Sequence, residues 1–180
     1  MSSIIKVDQI QLADGSTPTA GDLGLNTTGG VLQVVSASSG SYLEVSSTSY
    51  TDATGMSATI TPSSTSSKIL VIMQMPVTLI RATNDRHAVK TKILRNTDTF
   101  FIHDQQLRMG AGTDNAGEIF FSATTLCNKL DSPSTTSALT YKVQFAAETT
   151  ANSGRVRMNN DAGAGTSTGT ANLILMEIAG

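Results

Sequence analysis

A period of two runs through residues 68–80, KILVIMQMPVTLI. One set of alternate positions is wholly apolar, whereas the other turns polar from Gln74 onward. This pattern predicts a long strand that is buried on both faces at its start and on one face later. A helix is disfavoured because Pro76 would interrupt it and because β-branched residues lower helix propensity. Since Pro76 has no N–H to donate, we expect this part of the strand to lie at a sheet edge or a bulge.

Shorter segments along the rest of the chain carry similar strand signals. The clearest is residues 139–147, where one face would carry Leu139, Tyr141, Val143, Phe145 and Ala147 and the other Thr140, Lys142 and Gln144. Further strands are predicted at residues 31–35, 42–45, 57–61, 87–95, 99–102, 118–127, 155–158 and 171–178. Many short strands at such spacings indicate an all-β fold, a jelly-roll-like antiparallel β-sandwich.

The last predicted strand, ANLILMEI, is apolar on both faces apart from Glu177. Leu173 and Leu175 point one way, and Ile174, Met176 and Ile178 point the other. An outer strand of a monomeric sandwich alternates apolar with polar residues, so the second face needs another partner. No amphipathic helix is predicted that could cover it. We therefore expect Ile174, Met176 and Ile178 to form a subunit interface, with threefold packing into a homotrimer.

Residues 1–30 differ in character from the rest of the chain. Their apolar positions are sparse and the following ADGSTPTAGDLGLNTTGG is rich in Gly, Thr and Asp, with turn signals at Asp14-Gly15 and Gly29-Gly30. An ordinary loop is the alternative, but a loop this long is uncommon in a compact domain. We therefore divide the chain into an extended N-terminal arm at 1–30, which orders on another chain, and a β-sandwich knob at 31–180.

Composition excludes several classes of protein. The net charge of −2 and a charged fraction of 14% imply no nucleic-acid-binding surface. Aromatic residues make up 4% with no Trp, which is thin for stacking on sugars or bases. One Cys and two His cannot build a zinc cluster, so no metal site of that kind is expected. There is no apolar run of about 18 residues and no secretory signal, so membrane insertion is not expected.

Candidate catalytic groups are few. The glycines of residues 163–169, GAGTSTG, miss the dinucleotide-binding spacing. His103 and Asp104, joined by His87, could orient a base, but no serine lies in a nucleophile pattern. Cys127 lies in an apolar strand, which is typical of a structural thiol. We expect no enzymatic activity and no cofactor.

Two polar groups have alternative interpretations. Asp114, Asn115 and Glu118 offer oxygen ligands for a calcium ion, but they lack the spacing of a known loop, so a solvated turn is preferred. Arg155 and Arg157 share one strand face and could meet a carboxylate or a sugar. A plain exposed face is the preferred interpretation of that pair.

Four segments, KVDQIQLADGS, ITPSSTSSKILV, LTYKVQF and ANLILMEIAG, resemble small bacteriophage virion proteins and tail-fibre tips of aquatic, cyanophage-type phages. The resemblance implies a homotrimer whose N-terminal segment attaches to the virion and whose β-sandwich knob faces outward. It makes the apolar arm residues candidates for virion docking, namely Ile4, Ile5, Val7, Ile10 and Leu12. A chain of 180 residues leaves no room for a long shaft, which favours a short fibre or a decoration knob.

The expected function is therefore that of a non-enzymatic virion structural protein on the particle surface. Its partners would be two further copies and other virion proteins of the head or tail, bound through the arm. The alternative is a receptor-binding tail-fibre module that recognises a host-surface glycan, which exposed aromatics beside paired carboxylates would favour. A trimeric cellular signalling ligand would want a signal peptide or a membrane anchor, and neither is seen in the sequence.

Overall fold

The computed structural model describes residues 10–18, 28–82, 86–110, 117–159 and 169–180. Within them the chain forms ten β-strands and one short 3-10 turn, Ala151–Ser153. The strands are β1 (Val31–Ser39), β2 (Leu43–Val45), β3 (Thr51–Ile60), β4 (Lys68–Arg81), β5 (His87–Arg95), β6 (Asp98–Met109), β7 (Ile119–Asp131), β8 (Leu139–Ala147), β9 (Arg155–Met158) and β10 (Ala171–Ile178). In this described part of the chain no helix is long and apolar enough to cross a membrane.

The strands form two antiparallel sheets, which confirms the predicted sandwich. The first sheet has the order β1-β10-β4-β7, with the short strands β9 and β2 continuing it beside the far end of β4. The second sheet has the order β3-β8-β5-β6. Leaving aside the short strands β2 and β9, the chain crosses between the sheets at every connection except β5–β6, and the two four-stranded sheets have the nested order of a jelly roll.

The hydrophobic core lies between the two sheets. Met73 and Leu173 of the first sheet and Tyr141 and Phe145 of the second are fully buried in it. The inward and outward positions predicted for β8 are confirmed, since its alternate side chains from Leu139 onward are buried and those between them are half-buried. Strict alternation thus places one face of each strand in the core.

β4 is buried on both faces at its end and not at its start, so this part of the sequence prediction is wrong. Leu70 and Ile72, on its outer face, are only half-buried, whereas Thr78 and Ile80 are fully buried. At this end β4 lies between β7 and β9, and Ile80 is directly opposite Arg155. The long arginine side chains of β9 therefore cover an outer face that is uncovered nearer the start.

Pro76 lies in a central strand and not at a sheet edge, contrary to the expectation. β7 pairs with one side of β4 along its length, while β10 pairs with the other side up to Gln74 and β9 from Val77. The Asn159 N–H donates to the Pro76 carbonyl at 3.0 Å, so the Pro76 nitrogen also faces the gap between β10 and β9. The missing N–H therefore interrupts no hydrogen bond of the ladder.

A largely buried ion pair links the end of β7 to two interior strands of the second sheet. Asp131, at the end of β7, accepts hydrogen bonds from the Arg95 guanidinium at 2.9 and 3.0 Å and from the Tyr141 hydroxyl at 2.6 Å. Tyr141 is fully buried and Asp131 nearly so. Burial, with the Asp131 carboxylate beside it, raises the pKa of the Tyr141 hydroxyl. The Tyr141 hydroxyl and the Asp131 carboxylate thus satisfy each other in a largely buried site, with the partly exposed Arg95 at its margin.

Glu177 is a buried carboxylate on the core-facing side of β10. It accepts hydrogen bonds from the backbone and hydroxyl of Ser63, at 2.7 and 2.6 Å, and from the Gln33 amide at 2.6 Å. Burial acts to raise its pKa, but these hydrogen bonds outweigh burial and lower the pKa to about 2. The carboxylate therefore ties the end of β10 to the β3–β4 connection in its charged form.

We expect this carboxylate to make the fold acid-sensitive. Its pKa is lowered on folding from 4.5 to about 2, so its contribution is fully present above 4.5 and is lost as the pH falls toward 2. When the pH is lowered from 6 to 3, the urea midpoint of the wild-type protein should therefore decrease. The loss of this group's contribution reduces the free energy of unfolding by an amount on the order of 2 kcal/mol. Glu177→Gln should lower the midpoint at pH 6 and show a smaller fall toward pH 3. An unchanged pH dependence in the variant would contradict this role.

Candidate subunit interface

The outer face of the first sheet carries the side chains that the sequence assigns to a subunit interface. β10 is an interior strand, paired with β1 on one side and β4 on the other. Its alternate residues Leu173 and Leu175 are buried in the core, whereas Ile174, Met176 and Ile178 face outward and are half-buried. The two-faced orientation is the one expected from the alternation, and the contact with another subunit stays a prediction.

A row of apolar side chains crosses all four main strands of this face. Met176 is directly opposite Val34 of β1 on one side and Leu70 of β4 on the other, and Leu70 is opposite Leu130 of β7. Directly opposite residues of antiparallel strands share a face, so the four side chains lie side by side. Val34 is 54% exposed and Leu130 49% exposed. An uninterrupted apolar row of this kind is exposed on the surface of the subunit.

Neighbouring rows extend the apolar area and then end it with polar groups. Ile174 is opposite Ile72, and this pair is flanked by the exposed Ser36 and Asn128. Ile178 is opposite Lys68. We use the term outer apolar patch for Val34, Leu70, Ile72, Leu130, Ile174, Met176 and Ile178. An apolar centre within a polar rim is the composition of a protein–protein interface.

The size of the outer apolar patch sets what it can do. Seven positions, each taking up about 4.8 Å across the strands and 6.8 Å along them, give an area on the order of 230 Å². This area is within the range found on ordinary monomers, so the features that suggest an interface are the continuity of the apolar row and its polar rim. A stable interface buries about 800 Å² on each partner, so the patch would form the centre of an interface and not the whole of it.

The other half of this outer face is charged, and its charges are paired. Glu44 of β2 accepts hydrogen bonds from Arg157 at 2.7 Å and from Arg155 at 3.2 Å, and Arg155 also binds Glu118 at 2.5 Å. Burial acts to raise the pKa of Glu44, but the two arginines hold it below its usual value. Arg155 and Arg157 do share one strand face, as predicted, but they are only partly exposed and bind carboxylates of their own chain.

The predicted docking residues of the arm are only partly within the described residues. Ile4, Ile5 and Val7 lie outside them. Ile10 and Leu12 are described, and they are 50% and 38% exposed. The chain after them is held in a turn, in which the Leu12 N–H donates to the Ser16 carbonyl at 2.8 Å. The described part of the arm thus presents two apolar side chains that its own subunit does not bury.

The arm joins the knob beside the outer apolar patch. The Gly29 N–H donates to the Ala179 carbonyl, and the Ala179 N–H donates to the Gly30 carbonyl, both at 2.8 Å. These bonds continue the pairing of β1 with β10 past Val31 and Ile178. The arm therefore begins at the end of the sheet where the patch lies.

The candidate catalytic and metal-binding residues are tied to separate neighbours. His87 is buried, with its Nε2 3.0 Å from the Arg155 carbonyl, whereas Asp104 accepts a hydrogen bond from Tyr50 at 2.6 Å. Burial raises the pKa of the Cys127 thiol to about 11, as expected for a structural cysteine. Among the described residues no group of His, Cys, Asp and Glu could hold a metal ion. Asp114 and Asn115 lie outside those residues.

Comparison with known proteins gives matches by structure alone. No family model and no curated protein matches the chain. One solved structure, a chain of the T13 viral particle of infectious bursal disease virus, is 9% identical with a TM-score of 0.42 over 99% of this chain and 40% of that chain. A chain of the Gx strain of the same virus is 10% identical with a TM-score of 0.38 over 97% of this chain and 43% of that chain. This chain therefore spans about two fifths of those chains. The matches do not support the bacteriophage family that the sequence resembles, and at these TM-scores they add nothing to the jelly-roll arrangement given by the strand pairing.

Proposed function

We propose that the protein is a non-enzymatic structural component of a virion, located at the particle surface. In this proposal three copies associate through the outer apolar patch, and the N-terminal arm attaches the trimer to other virion proteins. The observation that carries it is the row Val34, Met176, Leu70 and Leu130, which crosses four strands and is exposed on the isolated subunit. Full burial of an exposed side chain of this kind contributes about 1.5–3 kcal/mol, and Val34 and Leu130, which are about half exposed, would each contribute roughly half of that.

A threefold arrangement also suits the position of the arm. In a cyclic trimer the same end of every subunit points in the same direction along the axis. The arm begins beside Ala179, so all three arms would leave from one end of the assembly. Three arms at one end can attach the knob to a single site while its other end faces outward. The docking residues remain Ile4, Ile5, Val7, Ile10 and Leu12.

Recognition of a host glycan is not part of the proposal. Arg155 and Arg157, the residues considered for contact with a sugar, are bound to Glu44 and Glu118. Of the three tyrosines, Tyr141 is fully buried, and the exposed Tyr42 donates to Glu44, a carboxylate that the two arginines already bind. The geometry therefore favours assembly over carbohydrate binding.

Deleting residues 2–27 should leave a folded knob that no longer enters particles. The deletion keeps Gly29 and Gly30, which bond to Ala179, and the core is formed by residues 45–175. The measurement is the amount of variant relative to wild type in purified particles, with the folding of the knob checked by circular dichroism. Normal incorporation of the folded variant would show that the arm does not attach the protein to the virion.

A further inference from the structure

We infer that the outer apolar patch of each subunit is covered by Ile10 and Leu12 from the arm of a neighbouring copy. The inference rests on the proposed trimer and names the part of the neighbour that makes the contact. It reassigns Ile10 and Leu12 from the proposed docking set to the contact between subunits. Attachment to the virion is then left to Ile4, Ile5 and Val7.

The symmetry of a trimer restricts which surfaces of the subunit can meet. A patch that contacts the same patch on a second copy gives an isologous twofold dimer, whereas a threefold ring needs contact between two different surfaces of the subunit. The trimer therefore requires a second apolar surface that complements the patch. Ile10 and Leu12 supply one, because both are substantially exposed. They lie two residues apart just before the turn at residues 13–15, so one neighbouring surface can contact both.

The area of the outer apolar patch is too small for the patch to form a stable interface by itself. Two patches of about 230 Å² packed together would bury about 460 Å² in total, which is below the roughly 1,200 Å² of a stable interface. An arm that crosses to the next subunit adds its own contact area to that of the knobs. Such an exchange of arms, in which each subunit covers the outer apolar patch of the next, repeats at all three contacts. No patch is left uncovered when the ring closes.

The length of the arm is compatible with contact to a neighbouring subunit. Each arm joins its own knob at the margin of the outer apolar patch, where Gly29 and Gly30 form hydrogen bonds with Ala179. The 17 Cα–Cα steps from Leu12 to Gly29 extend to at most about 60 Å. This upper limit exceeds the width of the sheet and so permits the arm to reach beyond its own subunit. The turn closed by Leu12, Gly15 and Ser16 gives the apolar pair a fixed end.

Substitutions in the full-length protein test the contact. Ile10→Asp combined with Leu12→Asp should raise the dissociation constant of the trimer at least about hundredfold, because it places two carboxylates against the patch. The matched control is Gln11→Asp combined with Ala13→Asp, which adds the same charge to the same exposed segment on the alternate positions. Sedimentation velocity at micromolar concentration should show monomers for the first variant and trimers for the control.

Disulfide trapping then identifies which copy supplies the arm. In a Cys127→Ala background, Leu12→Cys is paired with Val34→Cys, Leu126→Cys or Leu130→Cys, three exposed positions on the outer face of the first sheet. The inference predicts covalent dimers and trimers on a non-reducing gel for at least one pair. Leu12→Cys with Thr59→Cys, which is exposed on the second sheet, should give none.

The outcomes separate the inference from the proposed function. If the Ile10→Asp and Leu12→Asp variant stays trimeric while Met176→Asp does not, the knobs contact each other directly and the arm exchange is wrong. A disulfide formed only within one chain would also overturn the exchange. A monomeric wild-type protein would overturn both the exchange and the trimer.

Discussion

Met176→Asp is expected to convert the trimer into monomers, the largest effect of any single substitution that we predict. Met176 lies at the centre of the outer apolar patch, between Val34 and Leu70. A carboxylate there would be buried without a partner in the assembled state, at a cost of several kcal/mol per subunit. Light scattering after gel filtration should give 18.8 kDa in place of about 56 kDa, three times the mass of one chain. Ile174→Asp should have the same effect.

The control for this substitution lies on the opposite face of the sandwich. Thr59→Asp adds one carboxylate to the exposed outer face of β3 and should leave the trimer intact. Lys142→Asp should also remain trimeric, although it removes the 2.9 Å ion pair with Asp52 and places two carboxylates together. A Met176→Asp protein that stays a stable trimer, or a Thr59→Asp protein that does not, would contradict the location of the interface.

Asp131→Ala is expected to destabilise the fold by about 2–3 kcal/mol, mainly because it leaves the buried Tyr141 hydroxyl without its partner. The Arg95 guanidinium also loses its partner, but its side chain is 31% exposed, so water can solvate it. The measurement is the free energy of unfolding in urea, with wild type and variant at the same protein concentration because association adds to stability.

Asp52→Ala provides the comparison for the buried pair. Asp52 also accepts hydrogen bonds from two side chains, Lys142 at 2.9 Å and Gln144 at 2.6 Å, but its own side chain is 53% exposed. We expect it to cost less than about 1 kcal/mol, since water can solvate the groups left behind. Equal losses for Asp52→Ala and Asp131→Ala would show that burial does not set the strength of these contacts.

The strands that alternation describes well were predicted with their bounds. Residues 87–95, 139–147, 155–158 and 171–178 are strands in the structure with the same first and last residues. These strands either pair with a strand on each edge or keep one face on the core along their whole length. Burial therefore imposes a regular period on their sequence. Where the structure keeps the pleat regular, the order of apolar and polar residues is enough.

Irregular and edge strands were predicted too short, for identifiable reasons. β3 begins at Thr51 and not at residue 57, because the pairing with β8 shifts between Asp52 and Ser57 and Gly55 has a φ of +81°. Such an irregularity breaks the period of two. β6 lies at the edge of the second sheet and is largely exposed, so its residues are not selected by burial and its full length was missed.

From the sequence, only the part of the candidate interface that lies on β10 could be predicted. The outward orientation of Ile174, Met176 and Ile178 follows from the period of β10 alone. The participation of Val34 and Leu130 depends on which residues lie opposite Met176 and Leu70 across the sheet, and that pairing is set by tertiary structure. The continuity of the apolar row was therefore visible only after the fold was known.

The most direct test of the central claim is an electron-microscopy map of the intact particle that carries this chain. The account predicts three copies around a threefold axis at the particle surface, with Met176 and Leu130 buried between neighbouring copies. Single copies, or copies whose outer apolar patch faces solvent, would contradict it.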